Sequence, residues 1–285
     1  MIRRDGQFAG RGGLRLYWQA WLPEGDVHAA LVVAHGYGEH GGRYGNLVER
    51  LVPQGFAIYA LDHRGHGRSE GPRGHVGRFS EFIADLHALR VRVEEEHRCK
   101  PLVVLGHSMG GLIATHYLLA HSSGVTGAVL SSPAIGLAKE PPRLLRWLGR
   151  VLSWVAPRVS FQTDVDPGVL SHDPSIGPAY SADPLVHRRA SARFFTELKR
   201  AMRSARERAG EIHVPVAVLQ AGDDRLVDAA ATERFFAGVG SEQKELHVYA
   251  GFFHEIFNET EKDRVFVDLE RWLDAHLGAR VAATG

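Results

Sequence analysis

Residues 102–112 read Leu-Val-Val-Leu-Gly-His-Ser-Met-Gly-Gly-Leu, and this stretch restricts the fold more than any other. Leu102, Val103, Val104 and Leu105 are consecutive apolar residues, the mark of a short buried strand. Gly106-His107-Ser108-Met109-Gly110 follows at once in the pattern G-x-S-x-G. Beyond it Leu112, Ile113, His116, Tyr117 and residues 119–120 recur at helical spacing. A strand that turns directly into a helix leaves no room for side chains beside the serine, hence glycine at 106 and 110. The turn lifts the Ser108 hydroxyl clear of the sheet edge, and the new helix aims free backbone N–H groups at the same spot. Ser108 is therefore a candidate nucleophile.

The remaining chain alternates in the same way. Residues 14–21, 29–34, 56–61, 126–130, 214–220 and 244–249 read as strands. Helical stripes lie at Tyr44, Leu47, Val48 and Leu51, at Phe82, Leu86, Leu89 and Val93, and over 230–237 and 263–277. Alternation of this kind predicts an α/β fold, a mostly parallel sheet with helices on both faces. Between residues 133 and 209 the rhythm breaks. That segment shows no strand pattern and is rich in proline and arginine. It follows the strand after the serine helix, so it is expected to lie over the strand ends where such sheets bind ligands. The expected organisation is thus a core of residues 1–132 and 210–285 with a helical cap of 133–209; residues 278–285 read as a frayed tail.

Composition narrows the function. A net charge of +1 supplies no general field for nucleic acid. The one cysteine, Cys99, permits no internal disulfide and suits a reducing, cytoplasmic location. No apolar run follows Met1, so no signal peptide is expected, and no window approaches the ~18 apolar residues of a spanning helix.

A serine needs a base, usually histidine, oriented by a carboxylate. On a sheet of this type the order is serine, acid, histidine, each on a loop after a strand. After residues 214–220 come Asp223, Asp224 and Asp228. Asp228 precedes three alanines and reads as a helix cap, whereas spacing cannot separate Asp223 from Asp224. After residues 244–249 comes His254. His254-Glu255 does not open a zinc H-E-x-x-H, because position 258 is asparagine. Two backbone donors should meet the developing oxyanion: the N–H of Met109 and one from Gly36 or Tyr37. A rival exists. Residues 36–41 also spell G-x-G-x-x-G after a strand, with Asp62 placed like a ribose-binding acid. Bulky Arg43 and Tyr44, crowding by His35 and His40, and the unexplained Ser108 weigh against that dinucleotide reading. His63, His66 and His75 are assigned to turns rather than to a metal; no metal and no cofactor is expected.

With these residues in place, the chain resembles the monoglyceride lipase and lysophospholipase branch of the α/β-hydrolase superfamily. The resemblance runs over nearly the whole chain. Its marks are residues 35–40 with Gly42, Arg43 and Tyr44, residues 62–69, 106–111, 181–185 and 224–228, and the pair His254-Glu255. It implies an α/β-hydrolase fold, a triad of Ser108, Asp224 and His254, and oxyanion donors at Tyr37 and Met109. The family commonly has a small residue where Tyr37 stands. The resemblance further implies a serine carboxylic-ester hydrolase acting on single-chain acyl esters, monoacylglycerol first. A lysophospholipase, a short-chain carboxylesterase and a peptidase or amidase use the same machinery, and a non-catalytic binding protein is a further alternative.

In the cap, Leu144, Leu145, Leu148, Leu152 and Val155 form one stripe beside Trp147, Val151 and Trp154, with Arg143, Arg146 and Arg150 opposite. The favoured expectation is a helix packed on the core with solvated arginines; the alternative is a lid that touches membrane or micelle surfaces. Phe195, Leu198 and Met202, on a second basic helix, are assigned to the acyl tunnel. The partner expected is thus a lipid-like ester, with no nucleic acid; no oligomeric state follows.

Overall fold

The computed structural model describes residues 1–163 and 165–278; of the expected tail, residues 279–285 lie outside them. Eight strands form one sheet. They are β1 (Ile2–Ala9), β2 (Arg15–Leu22), β3 (Ala29–Ala34), β4 (Phe56–Leu61), β5 (Leu102–His107), β6 (Gly127–Ser131), β9 (Val216–Ala221) and β10 (Lys244–Tyr249). Their order is β1-β2-β4-β3-β5-β6-β9-β10. The first two pairings are antiparallel and all the others parallel.

The chain leaves β3 for β4 on one side and returns to β5 on the other. The loops after β3 and β5 therefore open side by side at one end of the sheet, where such folds bind ligands.

The central strands are apolar on both faces because both are covered. Leu31 and Val33 pack with α1 (Gly45–Leu51) and α8 (Lys262–Leu277). Val32 and Val104 point the other way, into a cluster with α2 (Ser80–Glu96), α3 (Met109–Ala120), α6 (Ala192–Glu207) and α7 (Ala229–Gly238). Asp228 caps α7 as read from the sequence, accepting the Ala231 N–H at 3.1 Å.

Between β6 and β9 the chain adds no strand to this sheet. It forms α4 (Arg143–Val155), α5 (Ile176–Ala182), α6 and, against expectation, a small antiparallel pair of β7 (Ser160–Gln162) and β8 (Arg189–Ser191). Three-residue strands whose partner is distant in sequence leave no alternation to read. The expectation for α4 also fails. Its apolar stripe does not pack on the core: Leu144, Leu145, Trp147, Leu148, Val151, Trp154 and Val155 are exposed. α4 rests on α6, and Ser153 is the residue it buries.

Candidate active site

Ser108 occupies the turn between β5 and α3 at φ 55° and ψ −118°. A left-handed φ strains a non-glycine residue by roughly 1–3 kcal/mol and persists only where the surroundings enforce it. Here they do. The Ser108 N–H donates to Ser131 O at 2.9 Å, and Ser108 O accepts from Leu112 and Ala134. A Cβ on Gly106 would strike the Gly110 carbonyl, and one on Gly110 would strike that of Ala34. The glycines are the space that lets helix, turn and β3 meet.

The spacing ambiguity is resolved by geometry. Asp223 is exposed, whereas the Asp224 side chain is buried and its Oδ2 accepts a 2.6 Å hydrogen bond from His254 Nδ1. Asp224 Oδ1 takes the N–H groups of Leu226 at 2.9 Å and Val227 at 3.0 Å. Burial favours the neutral acid, but the His254 charge and these hydrogen bonds outweigh it and hold Asp224 below its ordinary pKa. Burial likewise opposes the His254 cation, yet Asp224, then Glu255 and Glu39, raise His254 above its ordinary value.

With Nδ1–H spent on Asp224, Nε2 carries the lone pair. The imidazole lies against His107, ring centroids 4.7 Å apart, next to Ser108 in the chain. Burial, then His254, pushes His107 down to about 3, so the ring beside the serine is neutral. Among the described residues the Ser108 hydroxyl has no hydrogen bond, so the serine–histidine link is not closed here. Such links often tighten only when substrate arrives.

The loop after β3 supplies the next group. Gly36 N–H is taken by Glu39 Oε1 at 2.5 Å. The Tyr37 and Met109 N–H groups meet no acceptor among the described residues. Of the two loop donors left open by the sequence, Tyr37 is the free one. Its side chain stacks on Phe194 with centroids 5.3 Å apart, and its hydroxyl lies 3.3 Å from Thr163 Oγ1. Burial pushes that phenol up to about 12, so it stays protonated.

Sequence reasoning gave no role to the network that holds this loop. Glu39 also binds Tyr44 OH at 3.0 Å and Arg43 Nε at 3.1 Å. Arg43 reaches both oxygens of Glu255 at 2.7 Å, tying the loop after β3 to the residue after His254. Only the i,i+4 spacing of Glu39 and Arg43 was visible as a signal. His40 Nδ1 accepts the Gly42 N–H, so its Nε2–H donates to Asp183, 2.8 Å away in the segment after β6.

The rival glycine fingerprint is absorbed as well. Asp62 is buried and each of its oxygens takes a loop N–H at 2.8 Å, one from Gly41 and one from Arg68, so its carboxylate faces the chain's own backbone and is not presented to a ribose. His63 and His66 are buried in ring contact with His35. Among the described residues no His, Cys, Asp and Glu side chains are grouped to hold a metal ion. Of the residues assigned to an acyl tunnel, Leu198 and Met202 are buried in the core cluster and Phe195 is half-buried. The α6 residue that meets the Tyr37 loop is Phe194.

Comparison with known proteins gives the chain a family. The family model described as "Serine aminopeptidase, S33" matches residues 25–261. A Mycolicibacterium smegmatis protein named monoacylglycerol lipase is 37% identical, over 96% of this chain and 98% of that one. Phospholipase YtpA of Bacillus subtilis is 32% identical over 91% of this chain and 99% of its own. The crystal structure of Paleococcus ferrophilus monoacylglycerol lipase superposes with a TM-score of 0.83 at 32% identity, covering 92% of this chain and 99% of that one. A family match across most of the chain, joined by near full-length relatives, means that the chain belongs to the serine aminopeptidase S33 family and, within the α/β-hydrolase superfamily, to its monoglyceride lipase branch.

Proposed function

We propose that this chain is a serine carboxylic-ester hydrolase cleaving single-chain acyl esters, monoacylglycerol first. The observation that carries the reading is the buried Asp224–His254 hydrogen bond of 2.6 Å, set beside a strained Ser108. Ser108 Oγ attacks the acyl carbon and passes its proton to His254 Nε2. Asp224 holds the imidazole in the tautomer that can receive it and balances the imidazolium charge. The N–H groups of Tyr37 and Met109 take the oxyanion. His254 then gives the proton to the departing glycerol oxygen. Water, deprotonated by the same imidazole, releases the fatty acid and restores Ser108. No step calls for a cofactor.

Among the described residues, those between 133 and 209 form the cap over a core of 1–132 and 210–278. Supporting this division, Thr163, Asp183 and Phe194 all contact the loop that holds Tyr37 and His40. The exposed apolar face of α4, flanked by Arg143 and Arg150, is the surface that touches membrane or micelle; no described helix is long and apolar enough to cross a membrane. A cytoplasmic location rests on the single cysteine, Cys99. The phospholipase-named relative favours one second reading, a lysophospholipase on the same residues.

The test is a panel of monoacylglycerols, lysophospholipids, short esters and arylamides, assayed with the wild type and Ser108→Ala. Monoacylglycerol should give the highest kcat/KM, and Ser108→Ala should lower turnover by ~10⁴-fold or more on every substrate. Near-normal hydrolysis by the variant removes Ser108 from the mechanism. A lysophospholipid or arylamide preference replaces the substrate assignment. Because His254 must be neutral to act and its pKa is raised, the acid limb of kcat/KM should lie above the ordinary histidine value of 6.5.

A further inference from the structure

A cleft of about 960 Å³ lies between the start of α2, the end of α3 and α6, and none of Ser108, Asp224, His254, Tyr37 or Met109 lines it. Its floor is apolar, built from Phe79, Ile83, Leu119 and Ala201. Its walls carry Arg78, Arg158 and Arg193, and none of these guanidiniums has a carboxylate partner among the described residues. The other wall arginines are neutralised, Arg200 by Glu197 and Arg208 by Glu211, each at 2.6 Å. Glu197 is further engaged by the Phe79 N–H at 3.1 Å.

A histidine joins them. The Ser191 hydroxyl oxygen accepts the Phe194 N–H at 3.1 Å and lies 2.8 Å from His75 Nδ1. The other ring nitrogen, His75 Nε2, meets no partner among the described residues. Burial, and then the charges of Arg158 and Arg193 against the opposing pull of Glu81, hold His75 below its ordinary pKa.

Three guanidiniums without a carboxylate partner among the described residues, lining one cleft with apolar side chains, match one ligand chemistry. A planar fork binds a phosphate through paired hydrogen bonds, and the floor accepts the first carbons of a chain. We propose that this cleft is a binding site for the phosphate head of an anionic amphiphile. Arg78, Arg158, Arg193 and His75 hold the head, and Phe79, Ile83 and Leu119 hold the stem. Arg158 lies three residues beyond Val155, the last residue of α4, so a head group bound here sits near the C-terminal end of that helix. The phosphate has two sources, a phospholipid within a bilayer or a free single-chain phosphate.

Two binding arms separate these sources. One titrates the full chain with dodecyl phosphate below its micelle concentration. The other sediments it with phosphatidylcholine vesicles, with and without phosphatidic acid. The variants are Arg158→Ala/Arg193→Ala and, as a charge-matched control away from the cleft, Arg98→Ala/Arg234→Ala. Hydrolysis of a soluble short ester by both variants reports that they are folded. The cleft variant should bind about 30-fold more weakly than wild type, whereas the control should change little. A loss in the vesicle arm assigns the site to bilayer phospholipid. A loss in the dodecyl phosphate arm alone assigns it to a free amphiphile. Equal binding by wild type and the cleft variant in both arms, or an equal loss in the control, overturns the proposal.

Discussion

α3 and α4 are both rich in apolar residues, and the molecule treats them in opposite ways. α3 buries Met109, Leu112, Ile113, Tyr117 and Leu118 between the sheet and its neighbours. α4 segregates its apolar residues to one face and leaves them in water, with Trp154 82% and Leu144 66% exposed. A helix apolar on all sides has no solvent face to offer and must be interior. An amphipathic stripe says only that a face will leave water. It does not say what will cover it. For α3 the covering is the protein itself; for α4 the lipid interface proposed above is what remains. The contrast extends to the two regions they belong to, a core whose interactions are internal and a segment that keeps part of its apolar surface outward.

The largest effect should come at the seam between those regions. His63 and His66, from the loop after β4, are fully buried, and His66 lies 4.6 Å from His187 of the inserted segment. Burial, reinforced by the neighbouring imidazoles, holds His63 and His66 well below the ordinary value. Burial and then Arg73 push His187 down to about 4. The folded pKa values lie below the unfolded value of 6.5, so below pH 6.5 the unfolded chain takes up protons that the folded one refuses. Stability is complete above that pH and falls as pH drops toward 4, by about 1.4 kcal/mol per unit for each histidine. Urea unfolding at pH 7.5 and pH 5 should therefore differ by several kcal/mol. An unchanged midpoint would mean that the seam takes up protons without cost, and that the two regions are not locked by it.

The next effect separates the helices directly. Leu112→Ala removes a fully buried side chain from α3 and should cost about 2–5 kcal/mol. Leu144→Ala on α4 should cost less than about 0.5 kcal/mol, because that side chain is exposed. Thermal or urea unfolding of the two variants measures both. Similar losses would show that α4 is packed in solution, and the contrast with α3 would fail.

What was legible in the sequence follows the same division. Ala29–Ala34, Phe56–Leu61 and Lys244–Tyr249 end as strands at the residues expected, because turn residues border apolar or alternating runs. β1 was missed since an edge strand carrying Arg3, Arg4 and Asp5 has no buried face to announce it. Ser108 and His254 could be located by motif and loop order. The choice of Asp224 over Asp223, and of Tyr37 over Gly36, does not follow from spacing and came from the family resemblance alone. Each turns on the direction of one group: the Asp224 carboxylate faces His254, and Glu39 has already claimed the Gly36 N–H. Glu255 reaches Arg43 from the far end of the chain, a pairing no local pattern encodes.

The smallest expected change in stability belongs to Trp154, and it tests the comparison most sharply. The side chain is 82% exposed, so Trp154→Ser removes almost no internal packing and should leave unfolding within about 0.5 kcal/mol of wild type. The same ring is suited to the boundary between water and acyl chains, where an indole is favoured. Trp154→Ser should therefore lower activity on micellar monoacylglycerol while sparing a soluble short ester, since Ser108, Asp224 and His254 are untouched. The measurement is the ratio of the two rates, which cancels any change in active enzyme concentration. A fall in the ratio places α4 at the interface. Equal loss on both substrates would mean that the exposed face acts through the triad rather than through lipid, and that α4 serves the interior after all.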